Sequence, residues 1–183
     1  MAFLLAAILG FIFGGADQYL GSLVTLGAWT SSVSVMSAPW LALPFIAGAT
    51  QQRPRRAMAL GLCTTLAALA GYFALTLSPL ESVPLSHVPS GFVHLARAQL
   101  PYIAGGVVTA PLFGLLGLHW RERRSWASAG LLAGALCLEP AARWASGRLS
   151  PPDAVWFAEI ALGMLLTAYF AFAAHRHRTA GSA

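Results

Sequence analysis

The sequence predicts an all-α bundle of about six helices crossing a membrane, and three observations predict it. Hydrophobic residues fill 57% of the 183 positions and charged residues only 9%, whereas a soluble domain carries about 25% charged residues. The apolar residues gather into runs near the length needed to cross the roughly 30 Å hydrocarbon core, about 20 residues of helix. The eleven basic residues, all arginine, fall in short clusters between those runs. A formal charge of +5 would suit a nucleic-acid partner if it formed one surface, but clusters that alternate with apolar runs read as topology determinants instead. No nucleic acid is therefore expected as a partner.

The first run, Phe3 to Val24, starts without a basic segment and extends past signal-peptide length into Asp17 and Gln18, so it reads as a retained helix. A less hydrophobic stretch, Thr25 to Ser37, is expected near the interface. The second crossing, from Val33 or Ala38 to Thr50, is short and stops at Arg53, Arg55 and Arg56. Ala57 to Leu77 forms the third. A proline-rich segment from Ser78 to Ala98 then reads as the longest loop and holds Glu81, His87, His94 and Arg97. Gln99 to Trp120 is the fourth crossing, with Pro111 expected to kink it because proline removes a backbone donor. The fifth spans Trp126 to Arg143 with Glu139 before Pro140, and the sixth runs from after Pro151-Pro152-Asp153 to Ala174. The whole chain reads as one domain.

Alternating the ends of these helices places Arg53, Arg55, Arg56, Arg121, Arg123, Arg124, Arg176 and Arg178 on one side and Arg97, Arg143 and Arg148 on the other. The richer side is cytoplasmic by the positive-inside rule, so both termini lie inside and the crossings are even in number. That fits a multi-pass protein of the inner, plasma membrane. Gly10 and Gly14, Gly130 and Gly134, and Gly163 and Thr167 recur at one-turn spacing and are expected to let helices pack closely where lipid gives no hydrophobic drive. Self-association stays open. Cys63 and Cys137 lie inside apolar runs and read as small hydrophobes.

With this topology five of the six acids, Asp17, Glu81, Glu139, Asp153 and Glu159, map to the outer half or the outer loops. An ionisable group within a membrane helix is costly unless it is paired, neutralised or hydrated, so it tends to face the bundle interior. Asp17 continues the Gly10 and Gly14 stripe by a further turn, which turns it toward neighbouring helices. Glu159 sits three positions after Trp156 and four before Gly163. Glu139 is a candidate too, although Arg143 four residues on can neutralise it. Asp153 follows two prolines at a helix start, where an acid caps free amides. Tyr19, Trp29, Trp40, Phe92, Tyr102, Trp144, Trp156 and Phe157 crowd the same level and form interfacial belts or line a lipophilic pocket. Gln99 and Tyr102 add hydrogen-bonding groups there. The histidines do not make a metal set, and nucleotide-binding, nucleophile-elbow and paired-aspartate motifs are lacking.

Through Phe11-Ile12-Phe13-Gly14-Gly15-Ala16-Asp17-Gln18, Ser37-Ala38-Pro39-Trp40 and Pro111-Leu112-Phe113-Gly114, the chain resembles small actinobacterial six-helix membrane proteins over most of its length. Some proteins of that kind are integral-membrane terpene cyclases of indole-terpenoid pathways. The resemblance implies proton-initiated cyclisation of a lipophilic, prenylated or epoxidised substrate by membrane carboxylic acids, with no metal or other cofactor. Asp17, Glu139 and Glu159 are the candidate acids, and Tyr19, Gln99, Tyr102, Trp144 and Trp156 the candidate lining. The partners expected are that substrate and membrane lipid. The Gly14-Gly15-Ala16-Asp17-Gln18-Tyr19 run also looks like the small substrate-binding subunits of vitamin transporters, in which the same residues would hold a polar solute and the Ser78 to Ala98 segment would act as a lid.

Overall fold

Small residues decide where the helices of this chain meet. The computed structural model describes residues 1–81, 88–124, 126–149 and 153–180. Its helices are α1 (Ala2–Ser22), α2 (Ala28–Ser34), α3 (Ala38–Ala49), α4 (Pro54–Thr76), α5 (Val88–Ala98), α6 (Leu100–Arg123), α7 (Trp126–Ala145) and α8 (Asp153–Ala180), with short 3-10 turns at Val24–Leu26 and Pro79–Glu81. There is no strand among the described residues. In α1, α4, α6 and the Asp153–Ala173 part of α8, length and apolar composition suffice for a membrane crossing. The pair α2 and α3, bent by 44° at its break, passes the same test only when taken together, as a broken span or a re-entrant loop. The protein is a multi-pass helical membrane bundle. Helix α7 has 20 residues, about 30 Å at 1.5 Å per residue, but Glu139 and Arg143 keep it from being apolar enough to count with those four.

The core is built on backbone contact. Helix α1 lies along α4, while α3 packs on both α4 and α6, and α7 pairs with α8. Gly14 faces the Ala68 carbonyl so closely that a methyl group would overlap it, and Gly114 stands against Ala57 in the same way. Such approaches maximise dispersion contact where lipid is as apolar as leucine. The expected stripe at Gly130 and Gly134 is not used like this: open space surrounds both. Helix α7 instead turns Ser128, Ala129, Leu132, Ala133 and Leu136 inward, so the packing expected of the two glycines is not formed. Where α7 meets α8, the small residue is Gly163, beside Leu136 and Cys137.

Two segments differ from their expected form. Val88–Ala98, read as loop from its prolines, is the amphipathic helix α5, which touches the bundle through Phe92 against Phe73 at 5.9 Å. The 82–87 segment, including His87, lies outside the described residues. Thr25 to Ser37, expected near the interface, turns into the protein as α2, with Thr30 and Ser32 fully buried. Their hydroxyls donate to the Leu23, Gly27 and Ala28 carbonyls, which removes the cost of burying them.

One end of the bundle brings the last turn of α6 to the end of α3. Arg121 at the end of α6 donates to the Gln51 carbonyl after α3 at 3.1 Å, so these ends share one side. Arg124, at a left-handed φ of 47°, closes α6 and stacks on Trp120. Asp153 stands in the first turn of α8 at the opposite end, as expected of an acid that meets free amides.

Candidate functional site

The break between α2 and α3 places a polar junction inside the bundle, at the end of α3 away from the Arg121–Gln51 contact. Breaking a helix leaves carbonyls without partners on one side and amides on the other. Two side chains of α7, one turn apart, satisfy both. Glu139 accepts the Ser37 N–H with each oxygen, at 2.8 and 2.9 Å, and the Ala38 N–H at 3.0 Å. Arg143 donates to the Val35 carbonyl and closes on Glu139 through Nε and Nη2 at 2.9 and 2.7 Å. A carboxylate thus meets the positive end of α3, and a guanidinium the negative end of α2. Trp156 of α8 packs on the guanidinium, 5.3 Å from its ring centre.

Beside this junction lies a cavity of about 490 Å3, lined by residues of α1, α2, α3, α4, α6 and α7 and by the α2–α3 break. Its walls are mainly apolar: Val35, Met36, Trp40, Leu41, Leu69, Tyr72 and Phe73 form much of the surface. Asp17 enters from α1, where Gly14 one turn earlier has drawn the helix against Ala68 of α4. The Trp40 indole N–H faces the Asp17 carboxylate. Phe13 and Tyr72 hold the indole edge-on at 5.5 and 6.4 Å. Gln99 and Tyr102 stand on the α6 side, and Ser34, Ser37, Thr65, Thr109 and Arg143 are further polar groups of the wall.

Of the expected site residues, the cavity gathers Asp17, Gln99 and Tyr102 and does not gather the others. Tyr19 is 52% exposed and Trp144 73% exposed, both outside the cavity, because their positions along α1 and α7 turn them outward. Trp156 is buried as the platform under Arg143. Glu139 is occupied by three backbone bonds and an ion pair, which leaves it a structural acid that bridges two elements and is unsuited to donating a proton. Glu159 is 3% exposed, next to Glu139 and Arg143 but behind the cavity wall. Tyr72 and Phe73 were missed from the sequence. The available signal was Gly71 on the small-residue face of α4, which meets Phe11 of α1 and brings the next residues level with Asp17.

A carboxyl group beside an indole donor, in a mostly aromatic and aliphatic hollow, is the chemistry of a small-molecule site in a membrane bundle. Over residues 1–183 the chain matches the family of unknown function DUF6518, and it belongs to that family. Neither a curated protein nor a solved structure matches it.

Proposed function

We propose that the cavity receives a lipophilic small molecule and that Asp17 delivers a proton to it, making the protein a metal-independent cyclase of a prenylated or epoxidised substrate. The observation that carries this reading is the position of Asp17, the one acid lining an aromatic hollow of about 490 Å3 among the described residues. That volume lies within the roughly 300–1,000 Å3 of small-molecule sites. The proton passes from the Asp17 carboxyl to an alkene carbon or epoxide oxygen. The ring faces of Trp40, Tyr72 and Phe73 stabilise the cation that forms, and loss of a proton from a neighbouring carbon returns the acid. Substrate and product are isomers, so no oxidant is needed. The arginine-rich ends of the helices support an orientation with this cavity toward the outer face of the plasma membrane.

The test incubates the purified protein with a farnesylated aromatic or its epoxide and looks for a product of unchanged mass and new retention time. Loss of that product in Asp17→Asn supports the reading, and a fully active Asp17→Asn excludes it.

The broken span favours a second reading, a substrate-binding subunit of a transporter, since discontinuous helices in membranes commonly frame solute sites. Co-purification with an energising partner and uptake of a polar solute would favour it over the cyclase.

A further inference from the structure

The cavity contains a second charged side chain that proton delivery does not use. Arg143 reaches its wall from α7 with the side chain 22% exposed. Nε and Nη2 are engaged by Glu139 and Val35, and Nη1 has no hydrogen-bond partner among the described residues. The planar fork cannot swing to find one, because Glu139 grips one edge while Trp156 lies against its face. This is a preorganised donor whose orientation is fixed before a ligand arrives. A pure hydrocarbon entering the cavity would strip water from Nη1 without replacing its hydrogen bonds, whereas an oxygen acceptor would satisfy them.

We infer that Arg143 anchors an oxygen-bearing head of the ligand, so that the site takes an amphiphile whose hydrocarbon tail lies along Trp40, Tyr72 and Phe73 and presents its far end to Asp17. The inference rests on the proposed function for the lipophilic nature of the ligand and adds its polarity and direction. Anchoring the head gives a long flexible chain in a mostly apolar hollow a fixed register, which brings one particular double bond to the acid. Gln99 and Tyr102 supply further polar groups on the α6 side, within reach of a head larger than a single oxygen.

The experiment measures binding of three fifteen-carbon probes, farnesoic acid, farnesol and farnesene, to the full-length protein in nanodiscs, by competition at equal mole fraction in lipid. The parent is expected to prefer either oxygen-headed probe to the hydrocarbon by about tenfold or more. Arg143→Lys keeps a positive charge opposite Glu139 but loses the fork, and should reduce that preference to about twofold. A parent without preference, or an Arg143→Lys protein with the full preference, overturns the inference.

Should Arg143→Lys fail to fold, photolabelling of the parent decides. A diazirine next to the carboxylate should mark Ser34 to Ser37 or the outer end of α7, and one at the chain terminus should mark α1 or α4 near Asp17 and Tyr72; the reverse pattern overturns the proposal. Head preference without an isomeric product refutes the cyclase and leaves the anchor standing. Product formation without head preference does the opposite.

Discussion

Glu139 holds the backbone of Ser37 across 102 positions of sequence, with both carboxylate oxygens on one N–H at 2.8 and 2.9 Å. The bond fixes the α2–α3 break against α7 and so sets one wall of the cavity. Glu139→Ala removes the cap and leaves Arg143 without its ion partner; since the pair is only partly buried, the cost falls below the roughly 3–5 kcal/mol of a fully buried pair. Glu139→Gln keeps an acceptor and should cost less. Thermal unfolding in detergent, followed by tryptophan fluorescence, checks the order parent, Gln, Ala; an Ala variant as stable as the parent would show that the cap contributes nothing.

Two glycine pairs of identical spacing should respond in opposite ways. Gly14→Ala drives a methyl group into the Ala68 carbonyl and must push α1 from α4, at a cost of about 1–3 kcal/mol. Gly130→Ala meets nothing within 4 Å and should be neutral or stabilising by up to about 1 kcal/mol, because alanine is the better helix former. The same melting assay reads both, and equal losses would contradict the packing described.

Asp17→Asn should lower turnover by about a hundredfold or more, the usual contribution of a positioned acid, while leaving ligand affinity nearly unchanged. The amide keeps an acceptor for the Trp40 indole but has no proton to give. Trp40→Phe, which removes the N–H and retains an aromatic wall, should cost less. Weaker binding and unchanged turnover in Asp17→Asn would identify Asp17 as a ligand-holding group.

Glu159 separates the two kinds of buried acid. Apart from the neighbouring Glu139 carboxylate, neither of its oxygens meets a hydrogen-bond partner among the described residues, and a poorly satisfied buried polar group costs about 1–3 kcal/mol. Glu159→Met, of similar length and fully apolar, should therefore be at least as stable as the parent and keep turnover within about tenfold of it. Loss of activity in this variant with Asp17→Asn still active would move the acid from α1 to α8.

Topology is tested by adding single cysteines to a variant in which Cys63 and Cys137 are serine. His94→Cys on α5 should react with an impermeant maleimide in intact cells, and Gln52→Cys, between α3 and α4, only after permeabilisation. The opposite pattern inverts the assignment of the arginine-rich side.

Much of the site's position is legible in the sequence. The Gly10, Gly14, Asp17 series, one face of one helix, places an acid against neighbours wherever α1 packs, and its depth follows from 1.5 Å per residue. The roles of Glu139 and Glu159 were not legible, because both are acids in apolar runs at similar depth. What distinguishes them is which backbone each meets, and Ser37 lies 102 positions from Glu139. The Gly130 and Gly134 pair misled for a related reason: spacing says that two glycines share a face and says nothing of what that face touches.

Composition and periodicity by themselves determined a helical membrane protein, its arginine-rich side and the level at which its polar groups collect, because lipid imposes length and charge rules on every segment separately. Only the tertiary structure decided that α2 and α3 form a bent span, that Arg143 and Glu139 close its break, and that Asp17 rather than Glu159 faces the hollow. Those outcomes depend on pairings between helices distant in the chain, and a pattern internal to one helix carries no information about its partner.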